Sequence, residues 1–256
     1  MWRDAESRPF MGDPKQRHTR MPTPKQIEDA AEFTRRCHAF DWRGLTREPF
    51  TMIVHGTPRS GKSYLLRWWL QQYAREYSIV VVFSISADSA GYYSQVGIEP
   101  SSVYQGFDVQ SSRDLLTHMI DTANRHMRSA GGMRATEALP KTLIVCDDII
   151  SPGAQQHNFG ALKSLVTNYR HLNMSLILTS QYINAVSTVM RDTVDYHIIF
   201  KHESARARDF FKDNCFAWVT YKPSVQLILD QHTGDHRCIV VNKRSESTTY
   251  TVFRAP

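Results

Sequence analysis

Short apolar runs rich in β-branched residues alternate along the chain with segments whose apolar positions recur every three or four residues. The runs predict strands, and the periodic segments predict helices. The predicted strands are Thr51–His55, Ile79–Ile85, Thr142–Asp147, Ser175–Thr179 and Asp195–Phe200, and apolar helical stripes run from Leu115 to Met127 and from Phe159 to Tyr169. This alternation predicts an α/β fold, with a mostly parallel sheet that carries helices on both faces.

The two ends of the chain follow other patterns. Residues 1–22 mix basic residues with proline and glycine and show no periodicity, which is typical of a flexible basic arm. The tetrapeptide Thr-Pro-Lys-Gln at 23–26 has an N-cap threonine, a proline at the first helical position and a capping-box glutamine. We therefore expect a helix from there to about Phe40.

The C-terminal part has a β-rich pattern. Several strands are predicted between Leu227 and Phe253, and the segments Arg237–Asn242 and Thr248–Phe253 predict a hairpin. His232, His236 and Cys238 lie close together in this region, but with eleven histidines in the chain we interpret them as structural residues rather than metal ligands.

Composition narrows the class of protein. The chain has 256 residues, of which 41% are hydrophobic, and 31 Lys plus Arg against 25 Asp plus Glu give a formal net charge of +6. That excess suits a polyanionic partner without requiring one.

The four cysteines form no C-x-x-C pair, which favours a reducing, intracellular setting. The longest apolar run, Ile79–Ile85, has about a third of the length of a membrane span, so we expect no membrane insertion.

The strongest chemical signal follows the first predicted strand. Residues 56–63 read Gly56, Thr57, Pro58, Arg59, Ser60, Gly61, Lys62 and Ser63, which satisfies the phosphate-loop pattern G-x-x-x-x-G-K-[ST] in full. The glycines allow backbone N–H groups to face phosphates, and the next helix points its positive end at the same anion. Lys62 is predicted to bridge the β- and γ-phosphates of ATP, and Ser63 to place its hydroxyl on Mg²⁺.

Two carboxylates end the predicted strand at 142–147. Asp147 is expected to hold magnesium through a water molecule, and Asp148 to orient or deprotonate the attacking water. Aspartates also end strands for turn chemistry alone, but the phosphate loop favours the functional interpretation. Gln181 follows the strand at 175–179, where an amide can contact both that water and the γ-phosphate; ordinary loop polarity is the alternative interpretation.

The order and spacing of five elements resemble the genome-packaging ATPases of large DNA viruses. These elements are the loop at 56–63, Cys146-Asp147-Asp148, Tyr169-Arg170-His171, Gln181 and Met190-Arg191-Asp192. The group includes the poxvirus packaging ATPase and belongs to the FtsK and HerA superfamily of DNA-pumping motors. The resemblance covers roughly residues 48–202.

This resemblance implies an additional-strand P-loop fold, in which the Gln181 strand lies between the strands of the phosphate loop and of Asp147. It also implies a homo-oligomeric ring, a pentamer or hexamer, in which one protomer lends an arginine to the next. Arg170 is the first candidate for that arginine and Arg191 the second. Many relatives carry glutamate where this chain has Asp148, which is one methylene shorter.

The resulting hypothesis divides the chain into an N-terminal basic arm and helix (1–45), a P-loop ATPase core (46–202) and a C-terminal helix and β-hairpin extension (203–256). The expected function is ATP-driven translocation of double-stranded DNA into a viral capsid, in the infected host cell, with a capsid protein as candidate partner and virion association as a further expectation. Candidate DNA contacts are Arg3, Arg8, Lys15, Arg17, Arg20, Arg125, Arg128, the linker 130–138, Arg206 and Arg208.

Other classes of nucleotide-binding protein remain as alternatives. A P-loop kinase shares the phosphate loop, and a non-enzymatic DNA-binding or structural virion protein could retain the loop without turnover. A GTPase is disfavoured, because Asn242-Lys243-Arg244-Ser245 lacks the aspartate of the guanine-reading motif.

Overall fold

The computed structural model describes residues 21–86, 88–106, 110–130, 138–149, 160–183, 186–202, 204–244 and 246–256. Three predictions fall wholly or partly outside these ranges: the basic arm with its five cations up to Arg20, most of the linker 130–138, and the start of the apolar stripe at Phe159. Among the described residues, no helix combines the length and the apolar composition that a bilayer crossing needs.

An eight-stranded sheet forms the centre of the molecule. Its strands are β1 (Thr51–His55), β2 (Ile79–Ser84), β3 (Val103–Gln105), β4 (Thr142–Asp147), β5 (Met174–Ser180), β6 (Tyr196–Ile199), β7 (Arg237–Asn242) and β8 (Thr249–Arg254). Their spatial order is β3-β2-β4-β5-β1-β6-β7-β8. The first six strands pair in parallel, whereas β7 pairs antiparallel with β6 and β8 antiparallel with β7.

This order confirms two predictions about the sheet. β5, which precedes Gln181, lies between β1 and β4, as the additional-strand fold requires. The predicted C-terminal hairpin is present as β7 and β8, and it extends the same sheet beyond β6. Because β7 runs against the parallel strands, the start of β7 and the end of β8 lie at the edge where β1 ends.

The helices fill the segments between the strands. They are α1 (Pro24–Arg35), α2 (Lys62–Tyr73), α3 (Ser89–Ser94), α4 (Gln110–Ala130), α5 (Gly160–Asn168), α6 (Thr188–Thr193), α7 (Ala205–Asn214) and α8 (Pro223–His232). The capping box of α1 is present, since the Thr23 hydroxyl accepts from the backbone N–H of Gln26 and the Gln26 side chain accepts from that of Thr23.

Two predictions near the ends of the chain are wrong, one about where a helix ends and one about the type of an element. α1 ends at Arg35 rather than near Phe40, because the chain leaves the helix to pair with β8, with the backbone N–H of His38 donating to the Tyr250 carbonyl. The segment from Leu227 to His232 belongs to helix α8 and is not a strand. Its apolar run buries one helical face, with Val225, Ile228 and Leu229 packed in the core.

Side chains alternate between the two faces of the sheet and build separate cores. In β4, Ile144 and Cys146 pack with α4, α5 and α6, whereas Leu143 and Val145 pack with α2. A third cluster joins α1, α7 and α8 to the hairpin. The prediction of helices on both faces is therefore confirmed, and the carboxyl ends of β1, β4 and β5 are left to carry polar groups at one edge.

Candidate active site

The phosphate loop connects β1 to α2 and is anchored to both neighbouring strands. The backbone N–H of Gly56 donates to the Ser180 carbonyl at the end of β5 (3.3 Å), and that of Thr57 donates to the Lys201 carbonyl just after β6 (3.5 Å). The buried Lys62 ammonium donates to the carbonyl oxygens of Gly56 (2.9 Å) and Thr57 (3.1 Å). The loop thus curls around its own lysine.

Glycine is required at two positions of this loop. Gly61 has φ 115°, a left-handed conformation that side chains rarely adopt. A Cβ on Gly56 would lie 2.3 Å from the Ser60 hydroxyl oxygen and 2.8 Å from the Cβ of Phe200. Arg59, between them, also has a left-handed backbone with φ 61°. Strained backbone of this kind concentrates at functional sites, here in the loop predicted to hold phosphates.

The acids lie two strands away from the loop, at the end of β4. One oxygen of Asp147 accepts from the Tyr93 hydroxyl (2.7 Å) and the other from the Thr179 hydroxyl (2.8 Å). Burial raises the pKa of the Asp147 carboxyl, and these two hydrogen bonds oppose the shift. A nearby cation would stabilise the ionised form of a carboxyl group that is buried in this way.

Asp148 turns toward β5. Its backbone has φ 52°, and its N–H donates to the Thr179 hydroxyl (2.8 Å). The Gln181 amide nitrogen donates to the Asp148 carboxylate (2.7 Å). The left-handed turn therefore separates the two acids, with Asp147 directed toward Tyr93 and Asp148 toward Gln181.

Loop and acids open onto one cleft. A cavity of about 320 Å³ is lined by Ser63 together with Asp147, Asp148, Tyr92 and Tyr93, among others. Burial lowers the pKa of Lys62, and the Asp148 and Asp147 carboxylates oppose that shift, so both acids act electrostatically on the lysine. The structure thus brings the predicted residues Ser63, Asp147 and Asp148 to one cleft, with Lys62 within electrostatic reach of both acids.

The donor set of this cleft fits a magnesium ion. The Ser63 hydroxyl and the Asp147 carboxylate supply hard oxygen ligands, and Mg²⁺ commonly takes one or two such protein ligands together with water and phosphate oxygens. The two side chains come from different elements, α2 and β4, and both line the cavity.

Arg170 lies at the opposite edge of the sheet. It precedes β5, and its guanidinium donates to the Asp195 carboxylate (3.1 Å) and to the Tyr169 hydroxyl (2.8 Å). The same carboxylate accepts from the backbone N–H of Thr51 at the start of β1 (2.9 Å). The side chain of Arg170 is 57% exposed, so within its own protomer it stays apart from the cleft and faces solvent.

Arg191, the second candidate, is more enclosed. It lies in α6, where its guanidinium donates to the Thr188 hydroxyl (3.0 Å) and stacks over the Phe210 ring at 5.4 Å. Its Nε atom is buried and has no hydrogen-bond partner among the described residues. The structure places neither arginine with the loop and the acids, and their predicted roles in a neighbouring site stay predictions.

Two residues of the site were missed from sequence. Thr179 contacts both acids, and Tyr93 holds one of them. The polar end of the β5 pattern pointed to Thr179, since that strand delivers Thr179 and Ser180 next to Gln181. Tyr93 had no such signal, because α3 brings it to the site from a segment without a clear pattern.

Comparison with known sequences identifies the family. The sequence model of a family described as Poxvirus A32 protein matches residues 37–243. The chain belongs to this family. The predicted resemblance to the poxvirus-type packaging ATPases is thereby confirmed. The chain is also 26% identical over 194 residues to Uncharacterized protein 015R of Frog virus 3 (isolate Goorha), and this match covers 75% of the chain and 56% of that relative.

Solved structures of similar shape support the fold class. The genome packaging NTPase B204 of Sulfolobus turreted icosahedral virus 2, in complex with AMPPCP, matches with a TM-score of 0.54 at 17% identity, over 79% of this chain and 97% of B204. EssC (ATPases 2 and 3) from Geobacillus thermodenitrificans matches with a TM-score of 0.58 at 13% identity, over 81% of this chain and 40% of EssC. These likenesses confirm the predicted P-loop ATPase fold.

Proposed function

We propose that this protein hydrolyses ATP with magnesium and uses the energy to move double-stranded DNA during viral genome packaging. The observation that carries the proposal is the shared cleft, which is lined by Ser63 of the phosphate loop and by Asp147 and Asp148. Family membership supports the packaging role. The infected host cell is the location that goes with this role, with a capsid protein as the partner that receives the DNA and virion association as a further part of the proposal.

The residues around the cleft divide the work. Lys62 exchanges its carbonyl partners in the loop for phosphate oxygens, since both are acceptors for an ammonium group. The amino end of α2 adds its positive dipole to the same anion. Ser63 and Asp147 hold the magnesium ion, which when bound neutralises charge that develops on the phosphates.

Asp148 and Gln181 position the attacking water. Asp148 accepts from Gln181 (2.7 Å), so one carboxylate oxygen fixes the amide and the carboxylate can accept a proton from water. The Gln181 carbonyl oxygen is an acceptor for the same water. Asp148 and Gln181 would both contact an attacking water, and this arrangement suits hydrolysis. A kinase transfers a phosphoryl group to an acceptor and would have to exclude water from this position.

DNA contacts are supported next to Gln181. A cavity of about 390 Å³ is lined by Thr57 and Pro58 of the loop, by Gln181 and by Arg206 of α7. Arg206 is exposed, whereas Arg208 is engaged with the Gln226 side chain (3.3 Å). A phosphate of the DNA backbone bound by Arg206 would therefore lie beside the residue that senses hydrolysis.

The test is ATP hydrolysis by the purified protein with magnesium, with and without double-stranded DNA, at several salt concentrations. DNA should accelerate turnover, and the acceleration should fall steeply as salt rises, because phosphate contacts release counterions. Replacing Arg206 by Gln should reduce the acceleration more than the matched Arg208→Gln change. A response to DNA that is absent or insensitive to salt would contradict the motor, and turnover only with a small-molecule acceptor would indicate a kinase.

We further propose that protomers form a ring, a pentamer or hexamer, in which Arg170 reaches the nucleotide of the adjacent protomer. The exposed guanidinium is held by Asp195 and Tyr169 and faces outward, which suits contact with a second copy. An arginine supplied in this way contributes about 10³ to 10⁵ in rate. Arg191 is the alternative donor, although it is more enclosed.

Mixing two inactive variants tests this arrangement. Arg170→Ala and Lys62→Ala should each lose turnover, and a mixture should regain part of it, because some neighbours then pair an intact arginine with an intact loop. Native mass spectrometry measures the ring size in the same samples. Full activity of Arg170→Ala, together with rescue by mixing Arg191→Ala and Lys62→Ala, would transfer the role to Arg191.

A further inference from the structure

Two consecutive tyrosines of α3 line the cleft that the phosphate loop shares with the acids. Tyr92 and Tyr93 both border the cavity of about 320 Å³. The Tyr92 hydroxyl donates to the backbone carbonyl oxygen of Ser63 at 2.9 Å, and the Tyr93 hydroxyl donates to the Asp147 carboxylate at 2.7 Å. One short helix therefore contacts both residues that are predicted to hold magnesium, although these residues belong to α2 and β4.

The Tyr93 side chain is fixed by its surroundings. The residue is 1% exposed and belongs to the apolar cluster on the α2 face of the sheet, together with Leu66 and Val145. Its backbone carbonyl accepts from the N–H groups of Val96 (3.1 Å) and Ile98 (3.2 Å), where α3 ends. Because packing holds the ring and hydrogen bonds hold the backbone, the hydroxyl has a fixed position beside Asp147.

Tyr92 connects α3 to the start of α2. Its ring meets the Tyr93 ring edge to face, with the centroids 5.1 Å apart and an angle of 87° between the planes. The Arg67 guanidinium lies over the Tyr92 ring at 5.6 Å from the centroid. Since Arg67 follows Ser63 by one helical turn, Tyr92 contacts α2 at two successive turns.

The Asp147 carboxylate is oriented from two sides. Tyr93 donates to one of its oxygens and Thr179 to the other, so hydrogen bonds from α3 and β5 fix the plane of the group. Each oxygen keeps a further lone pair for a metal ion or for a water molecule bound to it. Magnesium demands near-ideal octahedral geometry with ligands at about 2.0 to 2.1 Å, so a misplaced ligand weakens its binding.

We propose that Tyr93 is a positioning residue for the magnesium ion, which it serves by orienting the Asp147 carboxylate, and that Tyr92 keeps Ser63 at the matching distance. α3 thereby sets the spacing between the two magnesium ligands. This inference rests on the proposed ATPase function and adds the residues that orient its metal site. Hydrogen-bond partners of this kind contribute about 10- to 100-fold to metal affinity.

Binding of a non-hydrolysable nucleotide measures this role without turnover. Titration calorimetry with AMPPCP is carried out once with magnesium and once with EDTA, and the ratio of the two affinities is the gain that the ion supplies. Tyr93→Phe removes one hydroxyl and keeps the buried ring. We expect it to reduce the gain about tenfold and to leave the affinity in EDTA unchanged, because the hydroxyl acts on the carboxylate.

Tyr169→Phe is the matched control for this variant. The Tyr169 hydroxyl donates to the buried Asp195 carboxylate at 2.6 Å, so the control also removes a hydroxyl donor from a buried aspartate, but at the amino edge of the sheet. The gain from magnesium should equal that of the wild type. A loss as large as that of Tyr93→Phe would overturn the proposal, because it would show that loosening of the sheet is sufficient.

A double variant tests whether Tyr93 acts through Asp147. Asp147→Asn should itself lower the gain, and adding Tyr93→Phe should then cause little further loss, since the two residues act as a unit. A further loss as large as in the wild-type background would overturn the positioning role.

Tyr92→Phe tests the contact with α2. It removes the hydrogen bond to the Ser63 carbonyl and should lower the gain by less than Tyr93→Phe, because the contact is to the backbone rather than to a side chain that holds the ion. An unchanged gain would overturn the role of Tyr92.

The remaining outcomes separate this inference from the ATPase proposal. An unchanged gain in Tyr93→Phe would overturn the positioning role and leave the ATPase proposal intact, and equal weakening with magnesium and with EDTA would do the same, since it would indicate a disturbed cleft. A wild-type protein that binds AMPPCP no better with magnesium than with EDTA would contradict the proposed magnesium site itself.

Discussion

The two edges of the parallel sheet use similar residues for different purposes. At the amino edge, the Asp195 carboxylate accepts from the Thr51 backbone N–H, the Tyr169 hydroxyl and the Arg170 guanidinium. At the carboxyl edge, Lys62 is hydrogen-bonded to loop carbonyls, and Asp147 has a raised pKa. At the amino edge, the charged groups are paired within the protein and connect neighbouring segments of the sheet. At the carboxyl edge, a phosphate would be a better partner for the Lys62 ammonium, and a cation a better partner for the Asp147 carboxylate.

The largest expected effect is on the lysine of the carboxyl edge. Lys62→Ala should lower ATP turnover at least about 10³-fold, because it removes the preorganised cation that meets the phosphates. Steady-state ATP hydrolysis measures the loss, and circular dichroism checks that the fold is kept. Lys163→Ala, an exposed lysine of α5, is the matched control and should retain activity. Turnover within a few-fold of the wild-type rate would show that ATP hydrolysis does not depend on this lysine at the carboxyl edge.

Asp147→Asn should separate activity from stability. We expect a loss of about 10²-fold in turnover, because the amide is a poor magnesium ligand. The free energy of unfolding should stay the same or rise, since burial already disfavours the ionised carboxyl in the folded state. Urea unfolding measured beside the activity assay checks both. A large loss of stability would mean that this carboxylate is as structural as Asp195.

Asp195→Asn should give the opposite result. An amide accepts fewer hydrogen bonds and leaves buried donors at the start of β1 unpaired, so unfolding should become easier by roughly 3 kcal/mol. Affinity for ATP in the variant that remains folded should be close to that of the wild type, because the carboxylate lies at the far edge of the sheet. Urea unfolding and calorimetric titration with ATP measure these quantities. Weakened ATP binding at unchanged stability would contradict the assignment of a structural role to the amino edge and a binding role to the carboxyl edge.

Acid should lower the free energy of unfolding through His202, which lies at the carboxyl edge. Burial, and secondarily the charge of Lys62, lowers the pKa of this histidine to about 4, against 6.5 as its ordinary value. Between those two values the unfolded chain takes up a proton that the folded chain does not, so stability falls as pH falls, by about 1.4 kcal/mol per pH unit. His202→Gln should flatten the decline in unfolding free energy below pH 6.5, and an unchanged slope would contradict this account.

The smallest expected effect concerns Arg170 as a structural residue. Its side chain is more than half exposed, so Arg170→Ala should lower the unfolding free energy by about 1 kcal/mol or less, as surface ion pairs do. Urea unfolding beside Asp195→Asn gives the ratio of the two effects. A loss as large as that of Asp195→Asn would show that the arginine is needed to close the sheet and is not free to serve a neighbour.

Local patterns carried most of the fold and the centre of the site. The phosphate loop, the acids and Gln181 could be predicted because each follows directly on an apolar strand, and parallel strands bring their carboxyl ends together. The run at Leu227 was misinterpreted because a short apolar segment does not distinguish a strand from a buried helix face. Arg170 was predicted from its place in a motif ahead of β5, and the same rule puts a residue that precedes a parallel strand at the amino edge, away from the cleft.

Other features depend on contacts distant in the sequence. His236 meets the phosphate loop only because β7 pairs antiparallel with β6, and Tyr93 meets Asp147 only through the packing of α3. The short strand β3 and the helix α3 gave no clear periodic signal. The division of the chain at residues 45 and 202 stays a prediction, although the hairpin adds strands to the same sheet.

One hydroxyl couples both acids. Thr179 accepts from the backbone N–H of Asp148 and donates to the side chain of Asp147, so a single oxygen atom connects β5 to the last residue of β4 and to the residue that follows it. A sliding movement of β5 would displace Asp147 and Asp148 together. In the proposed ATPase, loss of the magnesium ligand and loss of water positioning would therefore occur together, and a change that affects one of them through β5 would also affect the other.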